Sequence, residues 1–167
     1  MVHLINGRGQ LGKHLAALLA EDISEFSEEV YIYHTWSVLD KTEITQKKEY
    51  EKFKNFVNAH QDKKIIFVSS SSKRETSYLK YKHLSESYLL FKCDNGLIIR
   101  LPTIIGKGIC EKLKYNEVKP YGIMELLSCR AAAKKILEYV KYNGMRKNIT
   151  IEGEKISAEL AHKLLQF

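Results

Sequence analysis

The sequence lacks several features that would place it in a specialised class of proteins. None of its apolar runs approaches the length of a membrane span, and the N-terminal residues lack the basic start of a secretory leader. Its three cysteines are an odd number without metal-type spacing, which indicates reduced thiols in a cytoplasmic protein without a metal site. No repeat, low-complexity segment or linker interrupts the 167 residues, so we expect one domain over residues 1–167.

Acidic residues are too few to balance the basic ones. The chain has 27 Lys and Arg against 20 Asp and Glu, a net charge of +7 and a pI of about 9.2. The lysines are spread over all the predicted helices without a basic block, and no nucleic-acid recognition motif accompanies them. We therefore expect no nucleic-acid partner, although the charge suits anionic small molecules such as nucleotides.

Strand-like and helical patterns alternate along the chain. Strands are predicted at residues 2–6, 30–36, 65–68, 97–101 and 148–151. Helices are predicted at residues 11–20, 42–60, 77–93 and 123–142, with a last short helix capped by Ser157 and an irregular segment at residues 106–119. This alternation predicts an α/β fold, namely a Rossmann-like, doubly wound, mainly parallel sheet with a reduced number of strands.

A glycine-rich loop lies between the first predicted strand and the first predicted helix, and it reads Gly7-Arg8-Gly9-Gln10-Leu11-Gly12. Glycines there allow a tight turn and a close approach to pyrophosphate, which predicts dinucleotide binding, with a plain turn as the alternative. The acid that would hold the ribose of NAD is missing after the second predicted strand, where His34, Thr35 and Trp36 precede Asp40. NADP, looser adenosine contacts and no cofactor all stay open.

Serines, a tyrosine and a lysine follow the third predicted strand. Residues 69–72 are all serine, and Tyr78 and Lys82 come next at a spacing that places them on one helix face. A tyrosine followed by a lysine four residues on also occurs at Tyr50/Lys54, Tyr88/Lys92 and Tyr115/Lys119, so the spacing alone is weak evidence. Only Tyr78 and Lys82 open a helix just after a strand that ends in serines, which favours a proton-transfer site.

Four segments in order carry a family resemblance: INGRGQLGKHL, KIIFVSSSS, Tyr78-x-x-x-Lys82-x-x-x-Glu86 and LIIRLPTIIGKG, in which Leu101 separates Arg100 from Pro102. A fainter match, ISAEL, begins at Ile156. Together they resemble the extended, sugar-nucleotide-modifying branch of the short-chain dehydrogenase/reductases, and the Gln-Leu-Gly resembles its dehydrorhamnose reductases. The resemblance implies an NAD- or NADP-dependent oxidoreductase, epimerase or dehydratase whose small-molecule substrate is a nucleotide sugar.

The resemblance also implies roles for single residues. Tyr78 would be the general acid/base, Lys82 would lower its pKa, and Ser71 would hydrogen-bond the reacting oxygen, with Ser70 and Ser72 as rivals. Arg8 would contact a phosphate or remain an exposed turn residue. The implied cofactor-binding residues are Gly7, Arg8, Gly9, Gln10, Leu11, Gly12, His34, Thr35, Lys82, Pro102 and Thr103.

The chain departs from the family pattern in two places. One strand, at residues 30–36, replaces several strand–helix units between the glycine loop and the serine strand. If it is the family's second strand, His34 and Thr35 lie at the adenine-ribose position. If it is the fourth, residues His34 to Ser37 lie near the nicotinamide side and the adenosine half is missing; the local sequence slightly favours the second strand. The gap from Ser71 to Tyr78 and the truncated C-terminal region leave a shallow substrate pocket or one completed by a second subunit of a homo-oligomer. A catalytically inactive dinucleotide-binding, regulatory or accessory protein is therefore the alternative function.

Overall fold

The computed structural model describes residues 1–7, 9–22 and 25–166, so the predicted role of Arg8 lies outside the described residues. The strands are β1 (Val2–Leu4), β2 (Val30–Tyr33), β3 (Lys64–Ser70), β4 (Gly96–Leu101), β5 (Thr103–Ile105), β6 (Ile123–Ser128), β7 (Asn148–Thr150) and β8 (Glu154–Ser157). The helices are α1 (Gln10–Glu21), α2 (Glu43–Ala59), α3 (Ser77–Lys92), α4 (Ile109–Lys114), α5 (Cys129–Glu138) and α6 (Ala158–Leu165).

A parallel sheet of five strands forms the centre of the fold. β1, β2, β3, β4 and β7 lie side by side in that order, and each neighbouring pair is parallel. α1 and α5 pack on the face that carries Ile66 and Val68, whereas α2 and α3 pack on the face that carries Ile65 and Phe67. β3 is apolar in its centre because helices bury it on both faces. The predicted α/β fold with helices on both sides of a mainly parallel sheet is confirmed.

The strand before the glycine loop lies at an edge of this sheet. Within the described part of the chain, β1 pairs with β2 alone. In a complete Rossmann fold the first strand is central, with the second strand on one side and the fourth on the other. β2 lies between β1 and the serine strand β3, which is the position of the fourth strand. Our preference for the second-strand position was therefore wrong, because strand pairing depends on long-range packing that the local sequence does not record.

The edge position of β1 gives its connection an unusual geometry. The chain steps in the same direction across the sheet from β1 to β2 and from β2 to β3. The helix of the first connection, α1, lies on one face, and the helix of the second, α2, lies on the other. The two crossovers therefore have opposite hands, although such connections are right-handed in about 98% of cases.

A second, smaller sheet packs beside the large one and was not predicted. β6 lies between β5, to which it is parallel, and β8, to which it is antiparallel. The helix predicted at residues 123–142 was wrong in its first part, because Ile123–Ser128 is β6 and the helix α5 begins at Cys129. The segment at residues 106–119, predicted to be irregular, contains the short helix α4.

Side-chain caps fix the starts of the helices that matter for the site. The Oγ1 of Thr76 accepts the amide of Leu79 at 3.2 Å and caps the start of α3. Ser157 caps α6 in the same way, through the amide of Leu160 at 3.1 Å, as predicted. Among the described residues, no helix is long and apolar enough to cross a membrane.

Candidate active site

The carboxyl ends of four strands meet at one edge of the large sheet, since those strands are parallel. The glycine loop follows β1, His34 follows β2, Ser71 follows β3 and Pro102 follows β4. Tyr78 is the second residue of α3, the helix that begins six residues after Ser71. This edge is where ligands bind in open α/β sheets, and it collects most of the predicted site residues.

The glycine loop is shaped for close approach at two of its positions. A Cβ at Gly12 would lie 2.7 Å from Cε1 of His34 and 2.8 Å from the carbonyl carbon and oxygen of Gly7, so only glycine fits there. A Cβ at Gly9 would have nothing within 4 Å, which leaves the backbone open to a ligand. These are the packing and open-approach features expected of glycines in a phosphate-binding loop.

The side chain of Gln10 joins the glycine loop to the loop after β5. Its Nε2 donates to the carbonyl of Ile105 at 2.7 Å, and its Oε1 accepts the amide of Lys107 at 3.1 Å. Gly106 lies between these two partners with φ of +140°, and a Cβ there would collide with the Gln10 side chain. Gln10, predicted only as part of a cofactor loop, therefore also holds the small sheet against the large one.

Lys82 lies in a buried slot made largely of aromatic rings. It is 4% exposed, its Nζ donates to the carbonyl of Val68 at 2.8 Å, and the same atom lies 5.3–5.4 Å from the ring centroids of Trp36, Phe67 and Tyr78. Burial lowers the pKa of Lys82 to about 7, against the opposing effect of nearby carboxylates. Lys82 and Tyr78, which the spacing places on one helix face, lie side by side, with the amine near the tyrosine ring.

Tyr78 is half-buried beside this slot. Burial raises the pKa of its hydroxyl to about 12, so the side chain is a neutral acid at neutral pH. In this state Tyr78 holds a proton that it could donate. Lowering its pKa requires positive charge on Lys82, the group whose own pKa is depressed by the same burial.

The serines after β3 differ in what their hydroxyls contact. Ser71 donates its hydroxyl to the carbonyl of Leu101 at 3.1 Å, and its amide donates to the same oxygen at 2.9 Å. Ser70 accepts the amide of Ser72 at 3.2 Å. Ser69 is buried, and its hydroxyl has no hydrogen-bond partner among the described residues. The serine predicted to bind substrate is thus engaged with the backbone, while an unengaged hydroxyl lies two residues earlier.

A cleft of about 420 Å³ joins the glycine loop to the end of β2. It brings together the predicted residues Gly9, Gln10, Leu11, His34 and Thr35 with Trp36, which only the fourth-strand alternative placed near the site. The Nε2 of His34 is buried without a partner among the described residues, and burial, together with the charge of Lys82, lowers the pKa of this imidazole. The cleft therefore has an unpaired ring nitrogen and an indole in its wall.

A buried glutamine fixes the position of Trp36. Gln46 is completely buried; its Oε1 accepts Nε1 of Trp36 at 2.7 Å, and its Nε2 donates to the carbonyls of Ser37 at 3.0 Å and Asp40 at 2.7 Å. Trp36 also forms part of the slot around Lys82. Because Gln46 lies on α2, this helix helps to shape both the 420 Å³ cleft and the Lys82 slot. The periodicity of α2 places residue 46 on the buried face beside Phe53, and a polar residue there is the sequence signal that was missed.

The glutamate of the Tyr78–Lys82 helix forms an ion pair with the arginine of β4. Glu86 is buried, and its two oxygens accept Nε of Arg100 at 3.1 Å and Nη2 of Arg100 at 2.5 Å. The hydrogen bond to Glu86 raises the pKa of Arg100. Because Glu86 follows Lys82 by one helical turn, this forked pair ties the functional segment of α3 to the sheet.

Pro102 connects β4 of the large sheet to β5 of the small sheet, and Thr103 is the first residue of β5. Thr103 pairs with Leu126 in the small sheet, and Pro102 lies next to Gly153.

No group of three or more His, Cys, Asp or Glu side chains among the described residues could hold a metal ion. The three cysteines are free and buried, and burial raises the pKa of each thiol.

A second cleft, of about 630 Å³, lies on the other side of Gln10. Its walls come from the first turns of α1, the loop after β5, α4 and the end of α6. Gly9 and Gln10 line both clefts, so the two spaces meet at the glycine loop. Sequence reasoning did not find this cleft, because the small sheet and α4 that form it were not predicted.

Solved structures with the same fold are enzymes of nucleotide-sugar chemistry or bind NAD. WbmH of Bordetella bronchiseptica, in complex with NAD+, matches 97% of this chain and 78% of that chain at 13% identity and a TM-score of 0.77. The dTDP-4-dehydrorhamnose reductase of Bacillus anthracis, in complex with NADP, matches 98% and 79% at 13% identity and 0.75. The UDP-glucose 4-epimerase of Thermotoga maritima, with UDP-glucose, matches 99% and 81% at 12% identity and 0.70.

The chain has the fold of these enzymes. The resemblance to the extended short-chain dehydrogenase/reductases is thereby confirmed at the level of the fold. The predicted Rossmann-like architecture with a reduced number of strands is confirmed as well. No protein-family model and no curated protein sequence matches the chain.

Proposed function

We propose that the chain is an NAD(P)-dependent oxidoreductase, epimerase or dehydratase acting on a sugar nucleotide, with Tyr78 as the proton-transfer group. The observation that supports this most is the placement of Tyr78 and Lys82 beside the serine strand, at the edge that also carries the glycine loop. The similar structures with NAD+, NADP and UDP-glucose agree with this proposal.

The residues present suit part of a dinucleotide. Gly9 offers open backbone and Gly12 close packing, which fits pyrophosphate, and Lys82 would hold the nicotinamide ribose near Trp36. Pro102 and Thr103 would lie along the nicotinamide, and His34 and Thr35 would line its ribose side. When bound, the nicotinamide would supply or accept hydride at a substrate carbon.

Tyr78, Lys82 and one serine each have a single task in this proposal. Tyr78 donates its hydroxyl proton to the substrate oxygen in the direction of reduction and takes it back in the direction of oxidation. Protonated Lys82 stabilises the tyrosinate that forms, and this lowers the high pKa of the free Tyr78. Ser71, or the unengaged Ser69, donates a hydrogen bond to the same oxygen.

The free, buried cysteines suit the reducing cytoplasm in which we place the protein.

The test is Tyr78→Phe, assayed with NADH and NADPH against a panel of uridine and thymidine diphosphate sugars. We expect turnover to fall by about 100-fold or more, with cofactor affinity nearly unchanged by nicotinamide fluorescence, because only the transferable proton is removed. Tyr88→Phe is the matched control, since Tyr88 also precedes a lysine by four residues on α3 and its hydroxyl contacts Asn58 at 2.7 Å. Full activity in Tyr78→Phe would exclude the proposed role.

A second function is a non-catalytic protein that binds nucleotides. The edge position of β1 favours it, because the strands that hold adenosine in a complete Rossmann fold have no counterpart beyond β1 in the described chain. The engagement of Ser71 with Leu101 also favours it. Cofactor binding without turnover on any sugar nucleotide of the panel would support this function over the enzyme.

A further inference from the structure

We infer that the adenosine diphosphate half of the dinucleotide binds in the 630 Å³ cleft between α1, α4 and α6, and not beyond β1. This inference rests on the proposed function, because it takes NAD(P) as the ligand of the glycine loop. It assigns that ligand a path across the sheet different from the path in a complete Rossmann fold, where the two nucleotide halves lie on either side of the first strand.

The strand order excludes the usual path. Adenosine normally lies over strands that flank the first strand on the side away from the fourth. Here β1 is an edge strand of the sheet formed by the described residues, and β2 occupies the fourth-strand side. An adenosine placed beyond β1 would have no strand beneath it in the described chain, and it would remain in solvent.

The 630 Å³ cleft has the charge that a diphosphate needs. Lys13, Lys107 and Lys114 line it, and Glu111 is its one acidic lining residue. No ion pair among the described residues involves any of these three lysines, so their charges are not neutralised by neighbouring carboxylates. Three unpaired ammonium groups around one concave surface favour an anionic ligand.

The same cleft has an apolar part suited to a base. Tyr115, which is 62% exposed, lines it together with Leu164 and Leu165 of α6. An exposed phenol beside leucines offers a flat apolar contact for a purine ring. The volume of about 630 Å³ lies in the range of small-molecule sites.

Both clefts border the glycine loop, where the pyrophosphate would pass. Gly9 and Gln10 belong to both, and the space next to the Cα of Gly9 is open. The smaller cleft, with Trp36 in its wall, would then take the nicotinamide half, on the side of Lys82. The hydrogen bonds of Gln10 to Ile105 and Lys107 keep the wall of the larger cleft in place.

The experiment titrates ADP, which has no nicotinamide, against the wild type, Lys107→Glu and Lys114→Glu by calorimetry at low salt. We expect ADP to bind the wild type and to bind each variant about 10-fold more weakly or worse, since a favourable charge contact becomes a repulsion. Lys92→Glu is the matched control, because Lys92 is exposed at the end of α3 and lines neither cleft. Nicotinamide mononucleotide should bind all four proteins equally.

Two outcomes would overturn the inference. One is an ADP affinity that is the same in the wild type and both cleft variants, and the other is the absence of ADP binding to the wild type. Neither outcome decides the proposed function, which depends on turnover in the Tyr78 assay. Conversely, ADP binding that is sensitive to Lys107 and Lys114 would support this site even if no sugar nucleotide were converted.

Discussion

Replacing Lys82 by methionine should abolish a rise of stability with pH that the wild type shows. The folded protein holds this amine in an aromatic slot where burial lowers its pKa to about 7, whereas the unfolded chain has an ordinary lysine with a pKa of 10.5. Between these two values the unfolded state binds a proton that the folded state has released. The free energy of unfolding therefore rises with pH in that window. Methionine fills a similar volume and does not titrate.

The size of the effect follows from the two pKa values. One pKa unit corresponds to about 1.4 kcal/mol, so the lysine contributes a slope approaching about 1.4 kcal/mol per pH unit inside the window. From about pH 7.5 to about pH 9 the free energy of unfolding of the wild type should increase by about 2 kcal/mol relative to Lys82→Met. His34 does not interfere, because its lowered pKa places its titration below this range.

Urea unfolding at several pH values across this range, followed by circular dichroism, measures the difference directly. Lys80→Met is the matched control on the same helix. The pKa of Lys80 is raised by its hydrogen bond to Glu43, so its contribution is present below pH 10.5 and is lost only above that value. The free energy of unfolding of Lys80→Met, plotted against pH, should therefore run parallel to that of the wild type between pH 7.5 and pH 9. If Lys82→Met also ran parallel to the wild type, a neutralised buried amine at this position would be refuted.

Two further substitutions test the glycine loop and the buried glutamine. Gly12→Ala should lower the free energy of unfolding by about 1–3 kcal/mol because its Cβ has no room, while Gly9→Ala, with open space around its Cβ, should leave stability nearly unchanged; equal effects in chemical unfolding would contradict this. Gln46→Ala should destabilise by about 2 kcal/mol and shift the emission of Trp36, the single tryptophan, to longer wavelength, whereas Gln61→Ala on the surface should do neither. An unchanged emission spectrum in Gln46→Ala would show that the glutamine does not position the indole.

The succession along the chain of the strands and helices that build the large sheet could be predicted, because each element carries its own periodicity. β3 is a short apolar run followed by serines, and α3 begins at a threonine cap. The segment Ile123–Ser128 failed because its apolar residues suit a strand or a helix equally, and the strong periodicity of α5 continues directly from it. Its strand character comes from pairing with β5 and β8, which local sequence does not specify.

The proximity of Tyr78 and Lys82 was predictable, because the spacing along one helix is enough to bring them together. The site was not predictable where the arrangement depends on contacts between distant segments. The burial of the Lys82 amine under Trp36 needs β2 to lie next to β3, and the hydrogen bonds of Gln10 need a loop about a hundred residues away along the chain. The order of β1 and β2 in the sheet was not predictable for the same reason, because it depends on contacts between distant segments.

The edge position of β1 also affects how firmly the glycine loop is held. β1 has three residues and, within the described part of the chain, pairs with β2 alone, so the glycine loop follows a strand with few ladder hydrogen bonds to lose. Short edge elements open locally at lower free energy than central strands such as β3. A ligand that contacts the loop would spend part of its binding free energy in keeping β1 closed, and the exchange of the backbone amides of β1 would then report whether the site is occupied.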